Sequence, residues 1–268
     1  MIFNGKVQII ATPRSGSNYL HDLTKEYMNV CPLCVNDDYV KSSSPFSLNK
    51  GDDQPDQRIK GKAIYKRIEA INKGLPSIWK THPYFMESEV FNFKGFNIKT
   101  NLELSDYNVL LTRRNILEVV LSAAIAREKG AWQHPFDDRE VYIAPEEFKA
   151  VCKEIYFGHY LNLVENPRNI KVSDVLFYEE NIVEQPPEEI FSNLSLCGAT
   201  KDELPKISNP EVLPYKAPPK EQIIKNYNQL VDIAKEQYVE NCIADTTDMI
   251  TIDDNCYITE INLESYKK

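Results

Sequence analysis

The short apolar run Lys6 to Ala11, KVQIIA, stops at Thr12-Pro13 and gives way through Arg14-Ser15-Gly16-Ser17-Asn18 to an apolar pattern at Leu20, Leu23 and Tyr27. A β-branched run, a compact polar loop and a helical repeat in direct succession predict a strand, a turn and a helix. No other feature constrains the chain as strongly, because the carboxyl end of such a strand is where open α/β sheets bind ligands. At that point the unpaired N–H groups and the dipole of the following helix attract an anion. Gly16 lets the backbone approach closely, Ser15, Ser17 and Asn18 add hydrogen-bonding groups, and Arg14 supplies the planar fork that fits phosphate-type oxygens. An ordinary polar turn between strand and helix is the plain alternative.

Further along, Ser77 to Lys80 (SIWK), Tyr107 to Thr112 (YNVLLT) and Ile170 to Phe177 read as buried strands. Between them, Asn115 to Glu128 reads as a helix apolar nearly all round, hence a core helix, with Asn115 and Glu118 at capping-box spacing. Helical patterns occupy about 145 to 165 and 186 to 197, and a last long helix runs from about Lys220 to Cys242. Residues 36 to 62, rich in Asp, Ser, Lys, Gln and Pro, read as a loop excursion, and 245 to 268 as a polar tail. Strands alternating with helices predict one α/β domain over 1–268, a three-layer sandwich around a mainly parallel sheet.

The formal net charge of −9 argues against general affinity for nucleic acid or an anionic membrane, so an anionic ligand requires a local cluster of cations. Neither a signal peptide nor a membrane-length apolar run is visible, which predicts a cytoplasmic protein. Six scattered cysteines suit reduced thiols, and Cys31-Pro-Leu-Cys34 reads as a turn without a second ligand pair at zinc-site spacing, so no metal is expected.

The loop lacks the GK[ST] ending with which a Walker A loop places Lys on the β/γ-phosphates and Ser/Thr on magnesium. It is instead similar to the 5′-phosphosulfate loop of the sulfotransferases that use 3′-phosphoadenosine 5′-phosphosulfate (PAPS), a strand followed by T-P-[K/R]-S-G-[S/T]. Arg114-Asn115 followed by Ser122 matches that family's 3′-phosphate motif, R-[D/N]-x(6)-S, in residue type and spacing. Ser122 lies seven residues after the cap and shares its helix face, along which the long Arg114 side chain can fold to a common anion. Lys80-Thr81-His82 reproduces the family's K-T-H, and Phe177-Tyr178-Glu179-Glu180 resembles its Y-E-D-L element.

The resemblance implies a P-loop-like sulfotransferase fold, PAPS as co-substrate with 3′-phosphoadenosine 5′-phosphate (PAP) as product, and transfer without metal. It implies that His82 takes the acceptor's proton and Lys80 stabilises the bridging oxygen, roles that suit an imidazole titrating near neutrality and a cation beside a leaving phosphate. Asp38, ahead of Tyr39, is the competing base, and Tyr178 is expected near the adenine. The family's R-K-G-x-x-G segment is not visible, and Lys216, Lys220 and Lys225 stand as replacements for its cations. The acceptor class (carbohydrate, peptide tyrosine, lipid, small alcohol or amine) and homodimer formation stay open. The rival readings are a P-loop kinase, which lacks its Walker Lys and strand-end Asp here, and a catalytically silent nucleotide-binding protein.

Overall fold

The computed structural model describes residues 5–28, 73–81, 105–130, 139–156, 172–204, 206, 218–240, 250–253 and 256–261. Strand β1 (Lys6–Ala11) leads into helix α1 (Ser17–Tyr27), and β2 (Ser77–Thr81) pairs parallel with one edge of β1. On the other edge, β3 (Tyr107–Thr112) pairs parallel with β1 and β4 (Asp174–Phe177) parallel with β3, giving the order β2-β1-β3-β4. The chain thus reverses its direction of travel across the sheet between β1 and β3, and a crevice opens at such a point beyond the strands' carboxyl ends. Those ends are joined, because the Thr12 hydroxyl donates to the Thr112 hydroxyl at 3.2 Å in a buried position.

Period-two alternation sorts the strand residues between two apolar layers. Val7, Ile9, Ala11, Val109 and Leu111 pack with α1 and with α4 (Pro187–Ser192) on one face. Ile10 and Leu110 pack on the other with α2 (Ile116–Lys129), α3 (Pro145–Ile155) and residues of α6 (Tyr227–Glu240). Helices on both faces of a parallel sheet are the α/β sandwich expected, and α2 is the core helix, with Ile116 and Val119 to Ala126 all buried. One half of the expected capping box forms, the Asn115 side chain accepting from the Glu118 amide at 3.1 Å.

Helix α4 ends at Ser192, short of the expected 197, and three further elements differ from the sequence reading. The long terminal helix is two, α5 (Lys220–Ile223) and α6, because the chain bridges Val141 at Ile224, through bonds with Ile223 and Lys225, and the Asn226 side chain bonds the Ile143 backbone. Strand β4 starts four residues late and is followed by a π-helical turn, Tyr178–Val183. The segment read as a polar tail contains an antiparallel hairpin, β5 (Ile250–Ile252) and β6 (Ile258–Ile261), whose β-branched residues alternate over too short a stretch to stand out. The hairpin docks on the start of α2: Ile116 donates its amide to the Cys256 carbonyl at 3.0 Å and Ile258 donates to the Arg114 carbonyl at 2.8 Å. Cys152, Cys197 and Cys256 are free thiols, and burial pushes Cys152 up to about 12. No helix among the described residues is long and apolar enough to cross a membrane.

Candidate functional site

The loop from Thr12 to Gly16 sits at the switch point between β1 and β3, and its backbone is unusual. Arg14 (φ 59°) and Gly16 (φ 79°) both occupy the left-handed region, which arginine enters only at a cost. Ser15 between them is fully buried, and its hydroxyl donates to the Thr12 carbonyl at 2.6 Å. Its side chain therefore closes the loop, leaving its backbone as its contribution to a ligand. Gly16 is the N-cap of α1, so the first amides of that helix, from Ser17 and Asn18 onward, open on the crevice without intrahelical partners. A Cβ at Gly16 would stand 2.9 Å from two carbons of the Tyr178 ring, a distance that demands glycine there.

Arg14 reaches across the switch point to α2, its Nε donating to the Ser122 hydroxyl at 3.0 Å. Two motifs more than a hundred residues apart in sequence thus meet. Lys80, at the end of β2 and buried, bonds Asn18 at the start of α1, joining two further expected site residues. Tyr178 lies under the guanidinium of Arg113, 4.5 Å from ring centroid to Cζ, with its edge against Gly16. Arg14, Ser15, Gly16, Asn18, Lys80, Ser122 and Tyr178 are therefore brought together at the switch point, with Ser17 half-buried beside them. His82 and Asp38 lie outside the described residues, as do Cys31, Cys34 and Lys216.

Arg114 goes elsewhere. Instead of folding along α2 toward Ser122, its guanidinium pairs with Glu180, donates to the Ile258 carbonyl at 3.0 Å and covers the Phe177 ring at 3.7 Å. The reason is the π-helical turn, which brings two carboxylates under the arginine pair: Glu180 takes Arg114, while Glu179 accepts from Arg113 Nε at 3.1 Å and from the Arg114 amide at 3.0 Å.

Sequence reasoning missed Arg113, and it left Lys220 as one of three lysines. In the structure Lys220 is buried, 3.8 Å from Glu118, which stands one turn before Ser122 on the same face of α2. The Glu118 carboxylate thereby leaves the capping box half made. Lys225 pairs with Glu140 at the surface instead. Burial lowers the pKa of Lys220, with Glu118 opposing and the charges of Arg113 and Arg14 adding to the depression. Arg14 is likewise lowered, first by burial and then by Arg113. Arg14 and Lys220 are thus partly desolvated and feel the charge of Arg113, while Glu179 and Glu118 pair with Arg113 and Lys220.

One consequence is measurable without a ligand. Lys220→Met keeps the stem and removes a charge that burial disfavours more than Glu118 favours, so the free protein is expected to become more stable. A depressed lysine pKa penalises the protonated folded state, fully at pH below the lowered value and progressively less as pH rises through it. The gain should therefore be present at neutral pH and fade in alkali, as thermal melts across pH will read; a variant less stable than native at neutral pH would show that the Glu118 pair outweighs burial.

No family model, curated protein or solved structure matches the chain.

Proposed function

We propose that this chain is a sulfotransferase that takes the sulfuryl group from PAPS and passes it to an acceptor hydroxyl or amine, on a P-loop-like sulfotransferase fold. The observation that carries the reading is the bond from Arg14 to Ser122 at the switch point, which unites the 5′-phosphosulfate-type loop with the helix of the 3′-phosphate-type motif. Arg14, Arg113 and Lys220 fit a ligand with two anionic ends better than a single phosphate. The Tyr178 ring offers a flat apolar face of the kind a purine stacks on.

In the transfer, a bond forms between the acceptor oxygen or nitrogen and sulfur, the bond from sulfur to the phosphate oxygen breaks, and the electron pair leaves with PAP. Like phosphoryl transfer, such a displacement relies on alignment and charge stabilisation more than on covalent help from the protein. Arg14 and the α1 amides hold the leaving phosphate, and Lys80, fixed by Asn18, places a cation where charge develops on the bridging oxygen. His82, or Asp38 as the alternative, receives the acceptor's proton.

Calorimetry with PAP in excess EDTA tests the reading. Binding is expected without metal, since cations of the protein neutralise both phosphates. Strict dependence on magnesium, or preference for ATP over PAP, would replace the reading with a kinase. Labelled PAPS offered with sugar, tyrosyl peptide, lipid and small-alcohol acceptors then separates a transferase from a silent binder.

A further inference from the structure

We propose that Arg113, and not its neighbour Arg114, is the arginine that faces the second phosphate of the nucleotide, while Arg114 anchors the carboxy-terminal hairpin. The assignment rests on the reading of the crevice as a PAPS site, and it departs from the motif spacing, which selects Arg114.

Consecutive residues leaving the end of β3 send their side chains to opposite sides. Arg113 turns toward the loop: its guanidinium lies over the Tyr178 ring, and that ring abuts Gly16. Its charge is felt at both Arg14 and Lys220. Arg114 turns to the far side, where it covers Phe177, pairs with Glu180 and donates to the Ile258 and Thr259 carbonyls of β6. Main-chain bonds reinforce the attachment, with Ile258 donating to the Arg114 carbonyl and an isolated bridge between Asn115 and Tyr257. To reach Ser122, Arg114 would have to abandon a carboxylate, an aromatic face and two carbonyls together. Arg113 pairs with Glu179, which also braces the Arg114 amide and so fixes the turn from which Arg113 projects.

The test compares binding of PAP with that of adenosine 5′-phosphosulfate, which lacks the 3′-phosphate, alongside thermal melts. Arg113→Ala is expected to weaken PAP roughly ten- to hundredfold, as for loss of a charge-assisted contact, while adenosine 5′-phosphosulfate stays within about threefold. Arg113→Lys, which keeps the charge, should recover part of the PAP affinity. Arg114→Ala and Glu180→Gln should each lower the melting temperature with the ratio of the two affinities unchanged. Glu180→Gln serves where Arg114→Ala fails to fold. An Arg113→Ala protein with the native ratio, or a folded Arg114→Ala or Glu180→Gln protein whose ratio collapses, overturns the assignment and leaves the sulfotransferase reading standing. A native chain that binds no PAP removes that reading and the assignment with it.

Discussion

Arg14→Gly is expected to bind PAP about a hundredfold more weakly than the native chain while melting at nearly the same temperature, an effect set by the loss of charge-assisted phosphate contacts. Most losses of a half-buried arginine that is hydrogen-bonded to a helix lower stability, so the combination is diagnostic. It follows from the left-handed backbone of Arg14 (φ 59°), which costs a residue with a Cβ about 1 to 2 kcal/mol and costs glycine nothing. Removing the side chain also ends its repulsion by Arg113 and its burial. Against these gains stand the bond to Ser122 and the extra unfolded-state freedom of glycine, about 0.5 to 1 kcal/mol. The opposing contributions are of similar size, so the affinity moves and the melt does not. Calorimetry and differential scanning on one preparation check this; a melt lowered by many degrees with PAP affinity intact would make Arg14 a structural residue.

Gly16→Ala should show the reverse emphasis, a loss of about 2 to 4 kcal/mol in stability, from a left-handed penalty together with overpacking. The methyl would meet Cδ2 and Cε2 of Tyr178 at 2.9 Å and Cγ2 of Ile182 at 3.3 Å, and the backbone at φ 79° would be strained even in open space. The two causes separate in a double-mutant cycle. Adding Tyr178→Ala should return the steric part, on the order of 1 kcal/mol, and leave the backbone part. Strict additivity of the two substitutions in urea denaturation would mean that the ring moves aside freely and the contact is unimportant.

The part of the site that could be read from sequence is the part written in contiguous residues. KVQIIA followed by TPRSGSN declares strand, loop and helix within a few positions, and Asn115 declares the start of α2 through its own side chain. What sequence could not decide was a choice between equivalents. Arg113 and Arg114 are the same residue type at adjacent positions, and their division of labour is set by Glu179 and Glu180, some 65 residues later. Lys220 and Lys225 likewise differ only in surroundings: Lys220 is buried beside Glu118, while Lys225, beyond the break at Ile224, pairs with Glu140 at the surface. The closing hairpin escaped because strands of three and four residues with polar flanks carry too little periodicity to register.

That hairpin also sets when, during synthesis, the head of α2 is finished. The Arg113-Arg114 turn is made well before its carbonyl and guanidinium partners at Ile258, which lie 144 residues downstream of Arg114. At ordinary translation speeds those partners arrive roughly 7 to 30 s later. Until then Arg114 has no strand to hold, and Ile116 at the head of α2 lacks the Cys256 carbonyl that takes its amide. A nascent chain can thus fold its sheet and pair its two arginines with Glu179 and Glu180 well before the hairpin arrives to hold Arg114 and the head of α2.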